Sequence, residues 1–356
     1  MLELKITKTT QPRMRVPDPD LAFGKVFTDH MLVVDYTEGT GWHDARIEPY
    51  GPMSMEPATL VLHYGQAVFD GFKAFRSSTG GVVLFRPKDH IARLNLSSAR
   101  LCIPPVDEPF VLDALKQLIR LDADWVPRTF GCSLYIRPVV MATEAGLGVR
   151  PSKTYRFFTI LSPVGAYYRE GFQPVRILVA DKYVRAVQGG LGAAKTPANY
   201  AASLLAGEEA KAAGFTQVLW LDGVERTYVE EVGTMNIFFR LEDTLITPAL
   251  EGTILGGITR DSVIRLASHW GLRVKERRIS MSEVLAAHAG GKLLEVFGSG
   301  TAAVISPVSE LVFQGKSLTI NQGRVGDWTR RLFETLTGIQ YGKMEDPFGW
   351  TVPISA

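Results

Sequence analysis

Hydrophobic positions along the first half of the chain fall into short β-rich runs and two helical repeats. Residues 31–36, 59–63 and 82–85 are dense in β-branched and aromatic side chains, and each run predicts a strand. In 88–101 the apolar residues Ile91, Leu94, Leu96 and Leu101 recur at mostly helical spacing. In 110–119 Val111, Leu112, Leu115, Leu118 and Ile119 lie at i, i+3, i+4 and i+7, which predicts an amphipathic helix. Strands are expected again over 133–140 and 154–162, so the first half reads as α+β. Before all of these, Pro12, Pro17 and Pro19 mark the first twenty residues as an arm rather than a core element.

A second cycle begins after 165–174, a stretch with Gly171 and Pro174 that predicts an interdomain linker. Residues 175–180 predict a buried strand and 199–213 a helix closed by Gly214. Strands are expected over 217–222, 235–241 and 244–247, and a helix over 259–270 that ends at Gly271. Ser280 and Glu283 have capping-box spacing and open another helix. The run 293–296 is a strand leading into the turn 298–301, and the last helix covers about 328–336. These signals divide the chain into a domain over 1–164, the linker, and a domain over 175–356. Repeats of 20–50 residues and low-complexity tracts are absent.

Composition narrows the class. The chain has 356 residues, 46% hydrophobic and 21% charged, with Lys plus Arg 39 against Asp plus Glu 37 and a formal charge of +2. That balance gives no electrostatic reason to expect nucleic acid or an anionic membrane. The only cysteines, Cys102 and Cys132, cannot form a disulfide scaffold and fall outside any Cys-x-x-Cys spacing. The six histidines form no metal motif, so no metal is expected. No signal-peptide core and no apolar span of membrane length is visible, which predicts a cytoplasmic enzyme.

Candidate chemistry centres on Lys195, the only charged residue between Arg185 and Glu208, in a window rich in Gly and Ala. A surface lysine is the ordinary explanation of any one lysine. A lysine among small apolar residues, however, is placed to lose solvation and proton affinity, as a nucleophilic lysine requires. The same residues, Gly189-Gly-Leu-Gly-Ala-Ala-Lys195-Thr196, approach a phosphate-cradling loop of a nucleoside triphosphatase. Ala194 stands where that loop needs glycine, and Pro197 follows the threonine, so that reading is disfavoured. Two further turns could bind an anion. Gly256-Gly257-Ile258-Thr259 runs straight into a predicted helix, and Gly298-Ser-Gly-Thr301-Ala302 follows a strand. A reactive lysine with two anion-binding turns, and neither metal ligands nor a dinucleotide fingerprint, points to pyridoxal phosphate.

Eight collinear stretches then resemble one family along nearly the whole chain. They are Phe23-Gly-Lys-Val-Phe-Thr-Asp-His-Met31, His63-Tyr-Gly-Gln-Ala-Val-Phe-Asp-Gly71, Leu134-Tyr-Ile-Arg-Pro138 and Pro163-Val-Gly-Ala-Tyr167. Lys195-Thr-Pro-Ala-Asn-Tyr200, Glu231-Val-Gly-Thr-Met-Asn236, Gly256-Gly-Ile-Thr-Arg260 and Gly298-Ser-Gly-Thr-Ala302 complete the set. The sequence resembles the branched-chain amino acid aminotransferases, pyridoxal-phosphate enzymes of fold type IV. That resemblance implies an α/β enzyme with a smaller N-terminal α+β domain, a larger C-terminal pseudo-barrel domain and the cofactor between them. It also implies a homodimer or larger assembly in which the loop of Tyr64 reaches a neighbour's site. The reaction it implies is amino transfer between Leu, Ile or Val and 2-oxoglutarate, ping-pong through pyridoxamine phosphate.

The resemblance also assigns residues. Lys195 bonds the cofactor and, once freed, moves the proton between Cα and C4′. Glu231 faces the pyridine nitrogen, Tyr200 the phenolic oxygen, and Arg93, Ile258, Thr259 and Thr301 the phosphate, with Thr234 in support. Tyr135 and Arg137, two apart on a predicted strand, share a face. Arg137 is assigned the side-chain carboxylate of glutamate, and Tyr135 with the N–H groups of Thr301 and Ala302 the α-carboxylate. Phe23, Tyr64, Phe69 and Tyr167 wall the apolar pocket. Each of these aromatics, read alone, fits a core better than a pocket, and one of the adjacent acids Glu230 and Glu231 is expected to face solvent. The chain departs from the family at Asp70, where glutamate is usual, and at Pro197-Ala198, where Gly-Gly is usual. A Cys-x-x-Cys pair found in some members is replaced by Ala303 and Ser306. D-amino acid aminotransferase, (R)-amine aminotransferase and aminodeoxychorismate lyase are the competing activities of the same fold type.

Overall fold

The structure of the chain, a computed structural model, describes residues 2–165 and 172–354. They form two compact units. One comprises the described residues up to 165 together with Ala194–Pro197 and the residues from Gly338 on, and the other holds 172–193 and Ala198–Thr337.

The first unit is built on β1 (Lys5–Ile6), β2 (His30–Thr37), β3 (Gly41–Pro49), β4 (Ala67–Phe69), β5 (Phe72–Arg76), β6 (Val82–Phe85), β7 (Ser133–Ala142) and β8 (Thr154–Val164). Its helices are α1 (Leu60–Tyr64), α2 (Pro87–Arg100) and α3 (Glu108–Leu121). Strand pairing is antiparallel except between β1 and β3, and the sheet runs β1-β3-β2-β8-β7-β5-β6, with β4 also on β7. Alternation along the long central strands explains its two faces. Leu134, Ile136 and Val140 of β7 are fully buried, as are Tyr155, Phe157 and Leu161 of β8, and they join the apolar stripe of α3 in one core. Tyr135 and Arg137, of opposite parity, belong to the other face.

The second unit contains β9 (Val175–Val179), β10 (Gln217–Leu221), β11 (Val229–Val232), β12 (Met235–Leu241), β13 (Thr244–Thr247), β14 (Arg273–Glu276), β15 (Leu293–Gly300), β16 (Val304–Phe313) and β17 (Lys316–Thr319). Strand order is β11-β10-β9-β16-β15-β12, and β12 pairs back onto β11, so six strands close into a ring. Ile177, Leu219, Ile237, Phe239 and Leu311 are completely buried in its core. Helices α4 (Pro197–Ala201), α5 (Leu204–Ala212), α6 (Ile258–His269), α7 (Met281–Ala289) and α8 (Asp327–Gln340) follow in chain order, with α6 and α7 packed on β15. The last strand, β18 (Thr351–Ile354), pairs antiparallel with β6 of the first sheet.

Several expectations are corrected. Residues 59–63 form no strand: apart from the Thr59–Ala145 bridge, α1 occupies this run, since a run of five residues carries too little periodicity to choose. The helix expected over 199–213 is broken after α4, where Ser203 turns both its N–H and its hydroxyl onto the Tyr200 carbonyl. The N-terminal arm contributes β1. The division of the chain also differs from a simple cut at 165–174. The residues from Gly338 on and the short lysine segment belong with the first unit, because β18 needs a strand partner and Thr196 is fully buried there. Residues 166–171 of the expected linker lie outside the described residues. Ser280 caps α7 through Glu283 N–H as expected, but the Glu283 carboxylate pairs with Arg277 instead of closing the box.

Ending the chain at Gly349 removes β18 and with it the buried Trp350 and Ile354. The expected loss is about 3–6 kcal/mol of stability from the two side chains, read from the urea midpoint of the truncated protein.

Candidate active site

In the first unit the polar face of β7 gathers a group of predicted residues. Arg137 Nη2 donates to Tyr135 Oη at 3.1 Å, and its guanidinium lies 4.9 Å from the Phe69 ring centroid. Phe23 meets Tyr135 edge-on at 5.0 Å. Gly71 must be glycine, since a Cβ there would lie 1.8 Å from Tyr135 Oη. Arg137 Nε is buried without a hydrogen-bond partner among the described residues. A half-buried guanidinium left with an open N–H beside aromatic rings is a site for a carboxylate.

Lys195 reaches this face through tertiary hydrogen bonds rather than a regular element. Its N–H donates to Ser97 Oγ at 2.9 Å, its carbonyl accepts from Phe69 N–H at 3.0 Å, and Thr196 Oγ1 donates to the Ala67 carbonyl at 2.9 Å. Lys195 Nζ stands 5.0 Å from the centre of the Phe69 ring. Its pKa is lowered to about 8, first by loss of solvation and then by the positive charge of Arg93, with Arg137 adding to it and Asp70 and Tyr135 opposing. At pH 7 about one such amine in ten is unprotonated, against about one in three thousand at the ordinary value.

Arg93 is buried, not solvated. Its Nε and Nη2 grip the two oxygens of Asp70 at 2.9 and 2.8 Å. Asp70 is wholly buried and also accepts from Gly71 N–H and from His90 Nδ1, each at 2.7 Å. Burial alone would raise its pKa, but Arg93 and then His90 hold it well below the usual carboxylate range. Asp70, one methylene shorter than glutamate, therefore still reaches the arginine. His90, Arg93 and Ser97 form a buried polar stripe on α2 at i, i+3 and i+7, while Leu96, expected to pack inward, is 73% exposed. That polar stripe was legible in the spacing and identifies His90 and Ser97, which apolar periodicity passed over. Lys73 was also missed. It is buried on β5 directly opposite Tyr135, and burial lowers its pKa to about 8.

The second unit assembles the other predicted residues. Glu231, Asn236 and Ser299 are register partners across β11, β12 and β15 and so share a face. Glu231 Oε1 accepts from Leu255 N–H at 2.9 Å and from Asn236 Nδ2 at 3.3 Å, and Oε2 lies 3.0 Å from Arg185 Nε. Glu230 is buried as well, contrary to simple alternation, and burial raises its pKa. Thr234 is exposed in the turn joining β11 to β12, and Tyr200 is half-buried in α4. Ile258 and Thr259 form the first turn of α6, whose N-cap Gly257 supplies no capping side chain and could not carry one, since its Cβ would lie 2.0 Å from Asn236 Oδ1. Thr301 and Ala302 lie in the turn from β15 to β16, followed by Val304 at φ 62°, a costly conformation for a β-branched residue.

Tyr64 is 44% exposed, and its hydroxyl donates to the Leu147 carbonyl, away from Arg137 and Lys195. Tyr167 lies outside the described residues. These features fit a phosphorylated aldehyde cofactor. In the first unit Lys195 offers an amine with lowered proton affinity; in the second, α6 offers an N-terminus without a capping side chain, and Ser299 a buried hydroxyl without a partner among the described residues. Among the described residues no group of three acid, His or Cys side chains could hold a metal, and no helix is long and apolar enough to cross a membrane.

Acetylation of Lys195 by acetic anhydride, followed by peptide mass spectrometry, should be half-maximal near pH 8. Exposed Lys182, whose pKa is raised by Tyr183 and Glu209, should titrate above the ordinary lysine range. Asp70→Asn should cost about 3–5 kcal/mol in chemical denaturation at pH 7, because the buried Arg93 guanidinium loses its counter-charge.

The Amino-transferase class IV family model matches residues 67–311. The chain is 55% identical over 356 residues to branched-chain-amino-acid aminotransferase 2 of Bacillus subtilis, covering 100% of this chain and 97% of the relative. Among solved structures, the Escherichia coli branched-chain amino acid aminotransferase superposes with a TM-score of 0.77 at 29% identity, covering 90% of this chain and 99% of that one. The branched-chain aminotransferase of the thermophilic archaeon Thermoproteus uzoniensis, solved with norvaline, also gives 0.77, at 27% identity, covering 92% and 100%. On both the sequence match and the fold, this chain belongs to the class IV aminotransferases.

Proposed function

We propose that the chain is a pyridoxal 5′-phosphate-dependent branched-chain amino acid aminotransferase, moving an amino group reversibly between leucine, isoleucine or valine and 2-oxoglutarate in a ping-pong cycle. The observation that carries this reading is Lys195, with its lowered proton affinity, on the face where Arg137 stands among Phe69 and Tyr135. One face that offers both apolar walls and a guanidinium suits a substrate pair of which one side chain is aliphatic and the other a carboxylate. The names of the relatives support the same substrates.

Bound pyridoxal phosphate supplies the electron-withdrawing ring that makes an α proton removable. Lys195 Nζ would take that proton from the substrate Cα and pass it to the cofactor's C4′, the reverse transfer serving the incoming 2-oxo acid. Glu231 holds a proton on the ring nitrogen, Tyr200 donates to the phenolic oxygen, and Thr234 supports that contact. Arg93, the N–H groups of Ile258 and Thr259 and the Thr301 hydroxyl hold the phosphate. Tyr135 and the N–H groups of Thr301 and Ala302 orient the α-carboxylate. Arg137 binds the side-chain carboxylate of glutamate. Phe23 and Phe69 exclude water around the aliphatic side chain, and Tyr64 does so in the site of a neighbouring copy.

The same reading includes a cytoplasmic homodimer or higher homo-oligomer. Leu62, Tyr64, Leu147 and Val149 are 58%, 44%, 69% and 83% exposed, and the Tyr64–Leu147 hydrogen bond joins α1 to the loop that carries Leu147 and Val149. An apolar patch of this kind is suited to a second copy of the chain.

A panel of amino donors against 2-oxoglutarate tests the reaction. L-Leucine, L-isoleucine and L-valine should yield glutamate, and D-alanine and (R)-phenylethylamine should not. Arg137→Ala should weaken glutamate and 2-oxoglutarate about tenfold or more and leucine far less; equal losses would make the arginine structural. Full activity in a monomer would contradict the assembly.

A further inference from the structure

Arg185 lies ten positions upstream of the lysine in sequence, and neither its motif context nor the family resemblance gives it a task. Its side chain is nevertheless 7% exposed, and that of Glu231 beside it 5%. Arg185 Nη2 donates to the Gly192 carbonyl at 3.2 Å and to the Thr253 carbonyl, so two loop segments fix the guanidinium in place. Its Nε stands 3.0 Å from Glu231 Oε2, an ion pair that lacks hydrogen-bond geometry, so the guanidinium acts on the carboxylate through its charge. The other carboxylate oxygen, Oε1, is engaged by Leu255 N–H and Asn236 Nδ2. Asn236 Nδ2 also donates to the Leu255 carbonyl at 2.9 Å, so the acid and the amide together clamp the peptide that leads into the glycine turn before α6.

We propose that Arg185 is the positioning residue of Glu231, balancing the charge of the carboxylate that faces the cofactor's ring nitrogen. The inference rests on the proposed function. A buried carboxylate deprived of its counter-charge favours the neutral acid, and a neutral acid does not keep a ring nitrogen protonated. Arg185 thus acts on the cofactor through Glu231 without touching substrate. Its two bonds to backbone carbonyls make it rigid enough to do so, because a guanidinium anchored at Nη2 presents Nε in one direction.

The test compares the wild type, Arg185→Gln, Arg185→Lys, Glu231→Gln and the Arg185→Gln/Glu231→Gln double variant. Each is freed of cofactor and titrated with pyridoxal 5′-phosphate while its visible absorbance spectrum is recorded. Thermal unfolding of the apo proteins is followed alongside. Glutamine at 185 keeps a polar, hydrogen-bonding side chain but carries no charge. Arg185→Gln should shift the absorbance band of the bound cofactor and weaken binding about tenfold, and Arg185→Lys should restore most of both. In the Glu231→Gln background the same change should weaken binding less than about twofold, because the partner through which Arg185 acts is gone. Equal losses in the two backgrounds would overturn the inference, as would an unshifted band in Arg185→Gln with only a lowered unfolding midpoint. A wild-type protein that develops no visible band would instead overturn the proposed function, and this inference with it.

Discussion

An amine held out of bulk water beside two guanidinium groups is the constraint on which the first unit depends. A lysine in solution keeps its proton at neutral pH. Here the Lys195 backbone is tied by its N–H to Ser97 and by its carbonyl to Phe69, so the side chain stays where solvation is poor. The Arg93 and Arg137 charges then lower its proton affinity further. Four residues of the segment carrying the lysine pack as part of the first unit, although the chain on either side of them belongs to the second. Loss of those backbone bonds would return the amine to water and to its ordinary pKa.

Placing positive groups together requires buried negative ones, and Asp70 supplies the charge in the first unit. Its oxygens serve Arg93, His90 and the Gly71 N–H. The arrangement fixes the guanidinium on α2 and balances its buried charge. The network also explains how aspartate serves where the family usually has glutamate: α2 brings both His90 and Arg93 within reach of the shorter side chain.

In the second unit the same economy of paired charge is built on a closed sheet. Pairing of β12 with both β11 and β15 sets Glu231, Asn236 and Ser299 in one row across three strands. Closure leaves β11 no free edge, so the row cannot slip in register without breaking the ring. Asn236 meets Glu231 on one side and fills the space beside Gly257 on the other, which ties the acid to the start of α6.

Much of the fold was legible in the sequence where a single periodicity ran long enough. The helices α2 and α3, the long strands β7 and β8 and the second-unit strands β9, β12 and β13 follow the expected runs closely. Short runs failed for a physical reason: five residues at 60–64 fit a strand or a helical turn equally well, and only packing chose. The chemistry of Lys195 was suggested by its isolation from other charges, and that of Tyr135 and Arg137 by strand parity. The sequence alone determined which residues share a face, because backbone geometry within one element obeys a fixed period. Tertiary structure decided the rest: that Asp70, His90 and Arg93 form one buried network, that Arg185 meets Glu231, and that β18 completes the first sheet. These partners are distant along the chain, and their pairing follows from burial and charge balance, which no local pattern encodes.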